Sequence, residues 1–203
     1  MLKPTHIHTS LAITGAGILA AQYVASKDFS TITTPAFDIP LFTGVVFGAT
    51  IPDIDHSSTK INRIFGNFGK WFAQVIGHRT WTHTIWAIIL WFIIAFLITP
   101  HNQLLNLNTP NLMLANPLVI IVWGIAIGNL LHILEDNCSM QGVLFLYPFT
   151  HYETSNNGHP YKKRKWSFAR YKTGSGAENA INIIMIVFFL LELWQLWHIW
   201  FIH

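Results

Sequence analysis

The run Thr84 to Thr99, TIWAIILWFIIAFLIT, contains no charged residue, and with Trp81 to His83 as its first turn it approaches the roughly 20 residues that an apolar helix needs to cross a bilayer. Such a stretch places the chain in a membrane before any other residue is considered. Composition agrees. Of 203 residues, 52% are hydrophobic and 10% charged, against roughly a quarter charged in soluble domains, and the mean hydropathy is +0.40. Nine Trp and fifteen Phe suit a surface that meets lipid and its interfaces.

Further spans follow from the same reasoning. Leu118 to Leu134 reads as a second crossing, with His132 in its last turn, and Ala180 to Ile202 as another, with Glu192 inside it. In the latter, Trp194, Trp197 and Trp200 are expected to line one helical face at the far interface. Leu41 to Ile51 stops at Pro52, which pushes the preceding residue out of helical geometry, and it spans only by borrowing Phe37 to Pro40. Asp28 to Pro40, with Pro35 and Pro40, otherwise reads as a loop. Thr9 to Ala25 is a small-residue helix that also resembles a signal peptide, with Lys3 before it and Ala20 and Ala25 near its end. The expected fold is all-α: a polytopic membrane helical bundle of four to five transmembrane helices, forming one domain over residues 1–203.

Charge sets the orientation. Five spans put the N-terminus, the segment from Asp53 to Thr82 and the segment from Asn137 to Asn179 on one side, and these carry eleven of the twelve Lys and Arg. Only Lys27 faces the other way, so the positive-inside rule makes that side cytoplasmic. A net charge of +3 is too small to point to nucleic acid. The single cysteine, Cys138, excludes an internal disulfide and a zinc–thiolate cluster and is expected to be a small buried residue.

The candidate metal ligands collect on that same cytoplasmic side. His6 and His8 precede the first span, Asp53, Asp55 and His56 leave the second, His78 and His83 enter the third, and His132 and Asp136 leave the fourth. His132 and Asp136 are four apart and share a helix face, so they can hold one cation through nitrogen and oxygen. Asp53 and Asp55, if the chain after Pro52 is extended, point to one side and clamp a divalent ion. His56 then points away, and Glu135 is either a supporting group or plain surface. His78 is expected on a loop and His83 in the first helical turn, capped by Thr80 or Thr82. Arg79 anchors topology or contacts an anionic phosphoester. His101, His198 and His203 fall on the opposite side as interfacial residues.

Taken in order, Thr5-His6, Gly48 with Pro52-Asp53-Ile54-Asp55-His56, the block from Gly77 to His83, His132 to Asp136, and then Gly142 and Tyr147-Pro148-Phe149 resemble the membrane-bound, metal-dependent hydrolases of the YdjM type, small bacterial inner-membrane proteins. The likeness covers roughly the first three-quarters of the chain. It implies that the first segment is retained rather than cleaved, and it favours His6 over His8 as a ligand. More distantly, the order of ligands is similar to the zinc-dependent phospholipase C and P1 nuclease group, although that group's further downstream ligands have only His151, Glu153 and His159 as candidates here.

The expected activity is hydrolysis of a phosphoester, on a phospholipid or lipid-linked substrate. One or two divalent ions, zinc with manganese or iron as alternatives, would be held by His6, Asp53, Asp55, His78, His83, His132 and Asp136 and would activate a water. Asp53 or Asp55 would orient or deprotonate that water, and Arg79 would hold the phosphate. Two rivals stand beside it. One is a metal or proton transporter or sensor, favoured by Glu192; the other is a scaffold stapled by a closed metal shell.

Overall fold

The structure is a computed structural model that describes residues 3–25, 33–55, 66–67, 71, 81–100, 116–139, 142–149, 153–154, 160–161 and 172–202. Its helices are α1 (Lys3–Ala25), α2 (Pro35–Gly48), α3 (Ile85–Ile98), α4 (Pro117–Asn137) and α5 (Gly176–Ile202). Short 3₁₀ turns at Pro52–Asp55 and Trp81–His83 follow α2 and precede α3. To this helical framework the chain adds a small antiparallel ribbon, Glu153–Thr154 paired with Pro160–Tyr161.

Among the described residues, three stretches are long and apolar enough to cross a membrane: Pro35–Asp55, Pro117–Asn137 and Gly176–Phe201. The apolar helix α3 has 14 residues, roughly 21 Å at 1.5 Å per residue, and so falls short of a bilayer by itself. α1 has the length, at 23 residues, but its Thr, Ser, Gln and His residues dilute its apolar character.

Local chemistry explains where the helices differ from the expected boundaries. α1 begins six residues before Thr9 because Pro4 sits in its first turn, where a missing N–H is no loss, so His6 and His8 lie within the helix rather than before it. α2 starts at Pro35, inside the expected loop, with Thr34 in extended geometry at its N-cap. Thr84, not Thr80 or Thr82, occupies the N-cap of α3, and Asn116 caps α4 by accepting from the Leu118 N–H at 3.0 Å. The tryptophan stripe on α5 breaks at its last member. Residues three apart rotate by about 60° per step, so Trp194 and Trp197 are exposed while Trp200 turns inward and donates to Asp38 Oδ2 at 2.8 Å. Cys138, expected to be buried, follows the last turn of α4 and is exposed.

The centre of the bundle is the pair α2 and α4. A methyl carbon on Gly44 would lie 2.1 Å from Ile121 O, and one on Gly48 2.2 Å from Ile125 O. Reciprocally, one on Gly124 would meet Leu41 O at 2.4 Å and one on Gly128 would meet Val45 O at 2.3 Å. The two backbones therefore touch along two helical turns, as small residues spaced four apart allow. Leu11, Ile18, Leu41, Phe42, Val45, Ile120 and Leu196 fill the space where α1 and α5 close over this pair. α3 packs on the other side of α4 through Ile88, Ile133 and Val143, with Trp123 donating to Thr99 Oγ1 at 3.0 Å. Outward faces of α3 and α5 are apolar, for example Leu90, Leu97, Ile183 and Leu190.

Candidate metal centre

The glycine contact of α2 and α4 fixes the first ligand. His132 stands one turn beyond Gly128, and its Nδ1 lies 2.7 Å from the Ala49 carbonyl just past the end of α2. A carbonyl only accepts, so Nδ1 carries the proton and Nε2 presents its lone pair to the interior. His6 is held the same way: its Nδ1 lies 2.7 Å from Glu135 Oε2, and Glu135 Oε1 accepts from Ser10 Oγ at 3.0 Å. The third imidazole, His83, sets Nδ1 3.2 Å from Asp55 Oδ2, with Thr82 Oγ1 at 2.9 Å. Thr82 also donates to Asp55.

With their far nitrogens tied down, all three rings turn Nε2 toward the carboxylates of Asp136 and Asp53. His83 Nε2 lies 3.2 Å from His132 Nε2 and 3.4 Å from Asp136 Oδ2. His132 Nε2 lies 3.8 Å from Asp136 Oδ2 and 3.9 Å from Asp53 Oδ1. On the other side of the same carboxylate, His6 Nε2 lies 3.3 Å from Asp136 Oδ1, and its ring stacks on His132 at 3.9 Å. Two overlapping groups result, His6 with His132 and Asp136, and Asp53 with His83 and His132.

These spacings fit a bound cation. Donors about 2.0–2.1 Å from a tetrahedral zinc are roughly 3.3 Å apart, which is the separation of the closest pairs here. Because His132 carries its proton on Nδ1, its Nε2 can accept from His83 Nε2–H at 3.2 Å in the metal-free protein, and the same lone pair is what an ion would take. Metal-bound histidines characteristically donate their other N–H to a carboxylate or carbonyl, and His6, His83 and His132 each have such a partner. Burial on its own lowers the basicity of His83, but the carboxylates of Asp136 and Asp55 outweigh it and raise its pKa to about 9. The ring is thus held by negative charge in the way a cation would be.

Of the residues singled out in the sequence, His6, Asp53, His83, His132 and Asp136 meet in one cluster. Asp55 does not join Asp53 in a clamp. The chain after Pro52 is a 3₁₀ turn rather than extended, and at 3.0 residues per turn two residues two apart diverge by about 120°. Asp53 faces the cluster and Asp55 reaches behind His83. Glu135 supports His6. His8 turns away, its Nδ1 2.7 Å from Asn182 Oδ1 on α5. His56, His78 and Arg79 lie outside the described residues, as do His151 and His159, while Glu153 belongs to the short ribbon. Sequence reasoning missed Ser10 and Ala49, and took Thr82 only as a helix cap. Ser10, four residues after His6 on one helix, shares its face and was open to detection; the Ala49 carbonyl carries no sequence signal.

The chain matches the family described as YdjM inner membrane protein over residues 1–201. It belongs to the YdjM inner membrane protein family. Among curated proteins it is 31% identical over 103 residues to the uncharacterized protein YvsG of Bacillus subtilis (strain 168), a match covering 51% of this chain and 54% of that one. The chain thus spans about half the length of that curated relative. No solved structure matches. An inner-membrane setting agrees with the three apolar helices, and it places the cluster where α2 and α4 end and α1 and α3 begin.

Proposed function

We propose that the chain is a membrane-embedded, metal-dependent hydrolase acting on a phosphoester. The observation that carries this reading is the convergence of three imidazole Nε2 atoms on Asp136 and Asp53, each ring held from behind. His83, His132, Asp53 and Asp136 Oδ2 would hold one ion, of the zinc, manganese or iron class that mixed nitrogen and oxygen donors favour. Asp136 Oδ1 with His6 offers part of a second position. An ion bound there would lower the pKa of a water toward neutrality and polarise a phosphoryl oxygen.

The chain's own residues then divide the work. His132 and His83 keep their lone pairs inward because Ala49 and Asp55 hold the opposite nitrogens. Asp53, whose side chain at 16% exposure is the most accessible among the ligand contacts, orients the attacking water and takes its proton. Asp55, engaged with His83 and Thr82, acts through His83 rather than on the substrate. Arg79, from its place in the sequence next to His78 and ahead of His83, is assigned to the phosphate.

The distribution of Lys and Arg supports five spans, with α1 and α3 added to the three longer crossings and with the N-terminus and the cluster on the cytoplasmic side. Transport is the weaker reading. Its main support, Glu192, packs against Gly15, which lies about 13 Å along α1 from His6 and so outside the reach of the same ion.

Purified protein loaded with zinc tests the proposal, with bis(4-nitrophenyl) phosphate and phosphatidylglycerol as substrates. Wild type is expected to hydrolyse at least one of them, and His132→Ala and Asp53→Ala to abolish turnover, the former with loss of bound zinc. Stoichiometric zinc without hydrolysis of either substrate would leave a structural staple and sink the enzyme reading.

A further inference from the structure

A ring of exposed aromatic residues stands beside the cluster, and the metal chemistry does not use it. Trp81 is 47% exposed, Trp86 42% and Phe149 80%, with Tyr147 half-buried among them. The ring is built rather than incidental. Trp81 meets Tyr147 edge-on at 5.3 Å, Trp86 meets Phe149 at 6.0 Å, and Trp86 Nε1 donates to Tyr147 O at 2.9 Å. The backbone of Ile85 donates to Phe145 O at 2.9 Å, joining the start of α3 to the segment after α4. Trp81 shares its 3₁₀ turn with His83, so the collar and the candidate ligand are one rigid unit.

We propose that this collar admits the hydrocarbon part of a membrane lipid and presents its phosphate head group to the His83 side of the cluster. The inference rests on the hydrolase reading and narrows its substrate to a phosphate-bearing amphiphile. Three observations choose that occupant. Trp86 and Phe149 continue the apolar outer strip of α3, through Leu90, Ile93 and Leu97, so an acyl chain leaving the bilayer along it meets hydrocarbon throughout. The sole donor of the Trp86 indole is spent on the Tyr147 carbonyl, which leaves the exposed face of Trp86 apolar. The cluster behind the collar is suited to a cation and therefore to an anionic head.

An ordinary interfacial belt looks different. Trp194 and Trp197, at the opposite end of the bundle, are exposed on the surface of one helix and adjoin none of the candidate ligands.

The test uses the full chain in dodecyl maltoside micelles with two photoreactive lipids of identical diazirine acyl chain, phosphatidylglycerol and diacylglycerol. With zinc bound, phosphatidylglycerol is expected to label residues 81–86 and 145–149 at least about fivefold more than diacylglycerol, and EDTA to erase the excess. Phe149→Ser, at a position too exposed to threaten folding, should lower collar labelling by both lipids, and should lower the ratio of phosphatidylglycerol to bis(4-nitrophenyl) phosphate hydrolysis by about tenfold, the effect of losing part of one aromatic contact. Equal labelling by both lipids with or without zinc, or adducts elsewhere only, would reduce the collar to an anchor and overturn the inference, even with the soluble ester hydrolysed. A zinc-dependent excess on the collar without hydrolysis of either ester would keep the lipid site and remove the hydrolase reading.

Discussion

The pairs α2–α4 and α1–α5 cross the same bundle by opposite means. In α2–α4 four glycines bring backbone against backbone, so nothing can be added at the contact. In α1–α5 side chains fill the gap, and Gly15 receives the flexible carboxyl of Glu192 rather than a backbone. Each pair also delivers different groups to the cluster. Asp53, His132 and Asp136 sit on or just beyond the rigid pair, whereas His6 comes from α1, stacks on His132 and sets its Nε2 against the outer oxygen of Asp136. The rigid pair sets the ligand geometry, and α1 completes it.

Two substitutions at the same residue type break this comparison most sharply. Gly128→Leu forces a side chain into Val45 O and is expected to destabilise the detergent-solubilised protein by about 3 kcal/mol or more in an SDS titration followed by circular dichroism, with loss of bound zinc. Retention of both would mean that the helices are not in contact there. At the opposite extreme, a carbon on Gly17 of α1 would meet nothing within 4 Å, so Gly17→Ala should be neutral or stabilising by less than about 1 kcal/mol.

Between these limits lie the groups behind the histidines. Asp55→Asn weakens the hold on His83, and Glu135→Gln the hold on His6; losses of about 10–100-fold in zinc affinity are the usual scale for such partners. Since His83 Nε2 lies 3.2 Å from His132 Nε2 whereas His6 meets that ring by stacking, Asp55→Asn is expected near the upper end and Glu135→Gln near the lower, as read by competition with a fluorescent chelator. The reverse order would make α1 the principal support.

Proton competition provides a smaller, graded test. His83 has a pKa of about 9 without metal against 6.5 unfolded, so zinc must displace its proton below pH 9. Affinity should therefore rise with pH from 6.5 and level off near 9. The same shift gives the metal-free protein stability that is complete below pH 6.5 and declines as pH rises through 9. Opposite slopes for the two quantities are expected; parallel slopes would detach His83 from the metal.

Much of this was readable in the residues. Uncharged runs marked α3 and α4, and the four-residue spacing of His132 and Asp136 is a property of any helix, so both survive into three dimensions. The Asp53 and Asp55 relation did not, because it depends on whether a short post-proline segment is extended or 3₁₀, and composition does not decide that. Gly44, Gly48, Gly124 and Gly128 were visible as small residues, but that they face one another is a tertiary fact. Glu135 could be surface or support until His6 was found within 2.7 Å of it.

The central claim is that His83 and His132 share one cation with carboxylate oxygen. X-ray absorption at the zinc edge, on protein holding one equivalent of zinc, tests it directly. The expected first shell is nitrogen and oxygen at about 2.0–2.1 Å with the outer scattering of at least two imidazoles. A shell containing sulfur at about 2.3 Å, or one without imidazole scattering, would contradict the account.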